Sequence, residues 1–240
     1  MGSLFKKAEL KMSTKYPITT LLILATLCFF LCCGTKSQEP LPELACFDFE
    51  HPSAEAWMPR NPDHWKITEC EGSMVYELIS PGEQGSVRAP TSWSLLQDFD
   101  VTSFELTGRV KCKTDPSNIF RDMCVFFHFK DPTHFYYVHF AAKTDSLHNI
   151  IGLVNGQDRE KINIEPEGGS VFRLIDDNWH KFKVTCDGST GEIKAYMDDM
   201  ENPILTAKDQ TLSHGLVGIG SFDDTGYFDD ICLRGKTESQ

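Results

Sequence analysis

The sequence has little of what would make it a membrane or nucleic-acid protein. Its longest uncharged apolar run, Leu21 to Cys33, covers 13 residues, against roughly 20 for a helix that crosses a bilayer. Basic residues are in the minority: 23 Lys and Arg face 35 Asp and Glu, a formal charge of −12. Residues 1–34 hold Lys6, Lys7, Lys11 and Lys15 against Glu9, so the remainder carries about −15. That sign excludes general nucleic-acid binding, which needs a basic footprint, and coating of anionic membranes. No Cys-x-x-Cys pair follows the leader, which argues against a zinc site. No window places apolar residues at helical spacing, and there is no internal repeat or low-complexity tract.

What is there begins with a leader. A basic segment precedes the apolar run and small residues close it, the pattern of a secretory signal peptide. Cleavage after Gly34 and lipidation of Cys33 both fit; the polar tether that follows favours the lipoprotein route. An uncleaved anchor is the bland alternative. The expected organisation is a leader over 1–34, a linker over 35–45, a domain over 46–235 and a tail over 236–240. Export to the periplasm or cell envelope, or secretion, puts the domain in an oxidising space. Membrane contact is expected only through the signal or a lipid anchor. Cysteines 46, 70, 112, 124, 186 and 232 remain beyond the leader. Six allow 15 pairings, and spacing does not choose among them.

From Cys46 onward, short alternating segments are broken by turn residues such as Asp115-Pro116, Asn155-Gly156 and Asp187-Gly188. Strands are expected at 46–50, 64–70, 73–79, 85–89, 102–113, 121–130, 134–144, 148–154, 181–186, 191–198, 215–221 and 226–233. Such spacing predicts an all-β sandwich of two antiparallel sheets. The stretch from Trp179 to Asp198 (WHKFKVTCDGSTGEIKAYMD) and the ending GLVGIGSFDDTGYFDDICLRG resemble the corresponding hairpin and last strands of concanavalin A-like lectin/glucanase domains. The resemblance implies a jelly roll whose outer concave face binds sugar. It does not imply a reaction, because that fold hosts lectins, hydrolases and lyases.

Strand parity gives a candidate site. In 104–112 the residues Glu105, Thr107, Arg109 and Lys111 oppose an apolar set. In 122–129 Asp122, Cys124, Phe126 and His128 do so, and in 135–143 Phe135, Tyr137, His139 and Lys143. If these three segments are neighbours, one face gathers Arg109, Lys111, His128, Tyr137, His139 and Lys143, with His148 and Asn149 in the next turn. The bland reading of each residue alone is a solvated cation or a structural ring. Paired carboxylates for glycoside hydrolysis are missing: no Glu-x-Asp-x-x-Glu occurs. The cluster suits β-elimination on a uronic acid instead. Arg109 or Lys143 would hold the carboxylate, His139 or His128 would take the proton, and Tyr137 would protonate the departing oxygen. Lys111, His148 and Asn149 complete the expected substrate contacts. The segment HFYYVHFAAKTDSLHN (134–149) resembles β-jelly-roll lyases and dehydratases of marine uronate polysaccharides such as ulvan, a resemblance that covers Tyr137, His139 and His148. The expected ligand is therefore an anionic oligo- or polysaccharide. The expected activity is that of a carbon–oxygen lyase; a non-catalytic glycan-binding lipoprotein is the alternative.

Two smaller signals complete the reading. No cofactor is required by this chemistry. The resemblance implies that Asp48, on the first strand, and Asp229, on the last, could hold a structural Ca²⁺ if the terminal strands pair. A metal on His134, His139 and His148 is rejected, because their spacing matches no ligand motif. Trp57 and Trp93 are the candidates to stack on sugar; Trp65 and Trp179 read as core.

Overall fold

The computed structural model describes residues 39–51, 54–164 and 172–238. The leader and Cys33 lie outside them. The described strands belong to one compact unit, Leu41–Gln240. Among the described residues there is no α-helix, only short 3-10 turns at Ala54–Ala56 and Pro62–His64.

Sixteen strands run in chain order: β1 Glu43–Phe47, β2 Trp57–Pro59, β3 Trp65–Cys70, β4 Ser73–Leu78, β5 Ser92–Leu96, β6 Val101–Cys112, β7 Asp122–Asp131, β8 His134–Ala141, β9 Ile150–Asn155, β10 Glu160–Lys161, β11 Asn163–Ile164, β12 His180–Asp187, β13 Glu192–Met197, β14 Leu205–Lys208, β15 Leu216–Ser221 and β16 Gly226–Thr237. They form two antiparallel sheets. One has nine strands, in the order β11-β14-β13-β12-β6-β16-β4-β3 with β1 beside β16; the other has seven, in the order β10-β9-β8-β7-β15-β5-β2. The all-β sandwich expected from the turn spacing is the observed architecture.

Alternation builds the interior. Phe104, Leu106, Val110 and Cys112 of β6 meet Met123, Val125 and Phe127 of β7 and Tyr136, Val138 and Phe140 of β8 in one core between the sheets. A second apolar cluster lies on the far side of the seven-stranded sheet: Cys124, Phe126, Phe129, Phe135, Tyr137, Ile150 and Val154, with Trp93 and Leu95 of β5. The face that would be solvated in a two-layer sandwich is therefore covered. Its cover is the segment 79–91. Gly82 N donates to Ser92 Oγ at 2.8 Å, while Arg88 N donates to Asp158 Oδ1 at 2.8 Å and Arg159 N to Arg88 O at 2.9 Å. The segment thus crosses the sheet from β5 to the β9–β10 turn. Residues 85–89, expected as a strand, are this strap, and the true neighbour strand is β5. Its five residues are all buried, so it shows no alternation to read.

The terminal strands pair as the calcium expectation required. Cys46 lies opposite Cys232 in the β1–β16 ladder and is disulfide-bonded to it. This pairing draws β1 back to Glu43, inside the expected linker, and carries β16 to Thr237. Cys112, Cys124 and Cys186 are buried free thiols and Cys70 is half-buried.

Candidate functional site

The topology separates the residues that parity had grouped. β7 and β8 are neighbours, with Cys124 opposite His139 and Phe126 opposite Tyr137. β6 is not beside them. It lies in the other sheet with both edges taken, by β12 and β16, because residues 113–121 pass from one sheet to the other and form no hairpin. Arg109 and Lys111 therefore sit on the outer face of the nine-stranded sheet. There Arg109 pairs with Asp229 and Asp230 and lies 4.6 Å over the Trp179 ring, while Lys111 pairs with Glu71. They are corrected from substrate contacts of the histidine site to members of a separate ion-pair network.

His128 is also corrected. A bulge shifts the β7–β8 register between Phe127 and Asp131, and His128 takes a φ of 45°. Against β15, Phe126 faces Gly218 and Phe129 faces Leu216, so β7 carries one extra residue there, which reverses the parity beyond it. Phe129 goes to the outer cluster, and His128 turns between the sheets at their end. Its Nδ1 is 2.8 Å from Leu212 O and its Nε2 3.2 Å from Thr102 O, and its ring meets those of Phe104 and Tyr136. Burial pushes its pKa down. It is a structural ring with no path to a sugar.

Tyr137, His139 and His148 do come together on the outer face of the seven-stranded sheet. Ring centroids are 6.1 Å apart for Tyr137–His139 and 5.5 Å for His139–His148. His139 is 2% exposed, and both its nitrogens face protein: Nδ1 lies 3.0 Å from Leu147 O and Nε2 lies 3.4 Å from Asp122 Oδ2. With Nδ1 turned to Leu147 O and Nε2 to the Asp122 carboxylate, neither ring nitrogen is free for a substrate proton, so its expected role as base is corrected. His148 is the better-oriented group. Its Nδ1 donates to Asp145 Oδ1 at 2.8 Å, and its side chain is 16% exposed. Burial works against the Asp145 carboxylate, but bonds from the Leu147 amide, Lys143 and His148 outweigh it and hold its pKa well below the ordinary range. Lys143 closes the group, 3.0 Å from Asp145 and 5.4 Å over the Phe120 ring. Asn149 is corrected to a structural role: Oδ1 accepts from Ala141 N, and Nδ2 donates to Thr144 Oγ1 and Phe172 O. These bonds clamp the turn that carries His148.

Tyr137 is fully buried, and its hydroxyl has no hydrogen-bond partner. Burial raises its pKa, so the phenol keeps its proton. The groups around it include two that sequence reasoning missed, Arg88 and Arg159. Their guanidinium carbons lie 4.7 Å and 4.3 Å over the two-faced ring of Phe222, and both charges act on Tyr137. Arg159 Nε and Nη1 are buried without a partner. Phe222 also lies 5.7 Å from His139. These residues come from the strap, the β9–β10 turn and the segment after β15, none of which carries a periodic signal.

The calcium expectation does not fit the residues it named. Asp229 is bonded to Arg109 and Ser73, so a guanidinium already supplies the positive charge there; Asp48 Oδ1 accepts from the Glu50 amide. The tryptophan assignment is reversed in part. Trp57 and Trp93 are buried, as is Trp65, whereas Trp179 is half-exposed on the nine-stranded sheet, 6.2 Å from Tyr227.

No family model matches the chain, and no curated protein matches it. Among solved structures it is similar to the carbohydrate binding module CBM66 from Bacillus subtilis, at 20% identity over 75% of this chain and 96% of that one, with a TM-score of 0.53. It is similar to the cellulose induced protein Cip1, at 12% identity over 81% and 98%, with a TM-score of 0.55. A Bacteroides ovatus mixed linkage glucan GH16 protein matches at 9% identity over 79% and 98%, with a TM-score of 0.53. These likenesses establish the fold: the chain is a concanavalin A-like β-sandwich. At such identities they carry the scaffold alone.

Proposed function

We propose that this protein recognises an acidic, uronate-containing glycan where Arg88, Arg159, Tyr137 and His148 meet over the seven-stranded sheet. The observation that carries the reading is the buried Tyr137 hydroxyl and the buried Arg159 Nε and Nη1, none of which has a partner among the described residues. A buried polar group left unpaired costs about 1–3 kcal/mol. A carboxylate on the sugar would accept from the guanidinium in its fork geometry, and a neighbouring hydroxyl would bond to the phenol. Arg88, which is exposed, gives such a ligand its first contact. The likeness to CBM66, a carbohydrate binding module, supports the class.

A second reading, β-elimination, is favoured by the orientation of His148. Because its Nδ1–H donates to Asp145, Nε2 carries the lone pair and can act as base. The proton next to the uronate carboxylate would pass to Nε2, and its electron pair would form the carbon–carbon double bond. The bond to the β oxygen would break, and that oxygen would take the Tyr137 proton. The leaving group is a sugar hydroxyl or water.

Titration calorimetry with ulvan and alginate oligomers tests both readings. Arg159→Gln is expected to weaken binding about tenfold or more, the worth of a lost charge-assisted pair. Ultraviolet absorbance of an unsaturated uronate that appears with wild type and not with His148→Ala supports elimination. Binding without that product leaves the first reading alone; no binding to any acidic oligomer refutes both.

A further inference from the structure

Beneath the proposed glycan site, three different donors converge on one buried point. Asp122 and Cys124 are two residues apart on β7 and so share a face. His139 stands directly opposite Cys124 on β8. The Asp122 carboxylate, the Cys124 thiol and the His139 imidazole present ligand atoms that all lie within 4.8 Å of one another, and all three residues are buried.

Two of the three are oriented from behind. A carbonyl only accepts, so the His139 Nδ1 that meets Leu147 O at 3.0 Å carries the hydrogen. Asp122 Oδ1 accepts from Phe222 N at 2.8 Å and from Ser221 Oγ at 3.0 Å, which leaves Oδ2 directed at the ring. His139 Nε2 lies 3.4 Å from that Oδ2, buried and without a hydrogen-bond partner. In the neutral ring this sets a nitrogen lone pair against a carboxylate oxygen, an arrangement that a proton or a metal ion between them relieves. Outer bonds that fix the tautomer and rotation of a histidine are the usual support of a metal ligand.

The spacing suits a tetrahedral ion. Zinc lies about 2.0–2.2 Å from nitrogen and oxygen and about 2.3 Å from sulfur, so the edges between its ligands are about 3.3–3.6 Å. The structure has 3.4 Å from His139 Nε2 to Asp122 Oδ2, and Cys124 Sγ lies 3.7 Å from the other carboxylate oxygen, Oδ1, to which the thiol donates. We infer that Asp122, Cys124 and His139 form a binding site for a divalent transition metal, zinc by the mixture of thiolate, imidazole and carboxylate. Binding releases the thiol proton to solvent. The site has no Cys-x-x-Cys because the sheet, not a knuckle, assembles it.

The inference stands apart from the glycan reading, since metal binding is measured without sugar. The full chain, stripped with chelator and dialysed, is titrated with Zn²⁺ and in parallel with Co²⁺. One equivalent is expected, with a thiolate-to-cobalt absorption band on the wild type. Cys124→Ser and His139→Gln should abolish the band and weaken zinc at least tenfold. Cys112→Ser, which alters another buried thiol, and Asp100→Asn, in the separate Asp100–His214–Glu238 group, should change neither. The wild-type cobalt spectrum decides the question even where a variant fails to fold. Absence of the thiolate band, or zinc binding lost in Asp100→Asn and kept in Cys124→Ser, overturns the inference. So does a magnetic resonance spectrum that shows both His139 ring nitrogens protonated with zinc present.

Discussion

Replacing Tyr137 by Phe removes one oxygen from a side chain that is fully buried. The ring packs against Phe135 and His139, with centroids at 6.2 Å and 6.1 Å, and Phe keeps that packing. What is lost is a hydroxyl with no partner among the described residues. A buried, unsatisfied hydroxyl costs about 1–3 kcal/mol relative to its absence. The variant should therefore be more stable than wild type by that amount. In a unit of this size each kcal/mol is a rise of about 2–4 °C in Tm. The same variant should bind acidic oligosaccharide more weakly, because the phenol is held unpaired for a ligand. A gain in stability with a loss of function is the signature of a group kept for its use and not for the fold. Scanning calorimetry and urea titration on both proteins, followed by glycan titration, measure the two effects. If Tyr137→Phe is less stable than wild type, the hydroxyl is satisfied inside the protein and the reasoning about this site fails.

Further outcomes follow from the same coordinates. Cys46 and Cys232 close a loop with a sequence separation of 186, for which the chain-entropy treatment gives about 5 kcal/mol; the double Ser variant should lose several kcal/mol in urea titration, and a loss under about 1 kcal/mol contradicts that account. Gly152→Ala would set a Cβ 2.3 Å from Tyr137 Cε1, and overpacking of that kind costs about 1–3 kcal/mol, so the variant should melt earlier and bind glycan less well. Burial alone would raise the Asp209 carboxyl, but bonds from the Tyr136 hydroxyl and from Thr211 outweigh it and hold its pKa below the ordinary 3.8. Its contribution is then complete above 3.8 and lost as pH falls through the lower folded value. Asp209→Asn should lower stability at neutral pH and flatten the acid limb of the profile, so that the two proteins converge below the folded value.

The sandwich was legible because its causes are local. Alternation, Asp-Gly and Asn-Gly turns and the absence of helical spacing each act within a few residues, and the strands β3, β4, β6–β9, β12, β13, β15 and β16 follow from them. Strand adjacency is a different kind of fact. Nothing within 102–130 says that β6 and β7 belong to different sheets, since the same alternating pattern serves a hairpin and a crossover equally well. Arg109 was read as a neighbour of His139 for that reason, although its actual partners, Asp229, Asp230 and Trp179, arrive from distant parts of the chain.

His128 shows the second limit. Parity is exact only while the ladder is regular, and one bulged residue inverts every assignment that follows. The reading of β7 holds through Phe127 and fails at the next position. The outer cluster shows the third. A second layer on the seven-stranded sheet requires apolar residues on both faces, as in Val125-Phe126-Phe127, and such a run looks like an ordinary buried strand in sequence. What it needs is a cover, and the cover is the strap that brings Arg88 to Arg159. Trp93 lies near a loop and so reads as a sugar-stacking aromatic, yet Phe126, Phe129 and Phe135 pack round it and Arg60 lies over its ring. The candidate site is thus a product of the strap: the same crossing that packs Val87 and Ala89 onto the outer cluster brings Arg88 to Arg159, and both charges to the buried phenol.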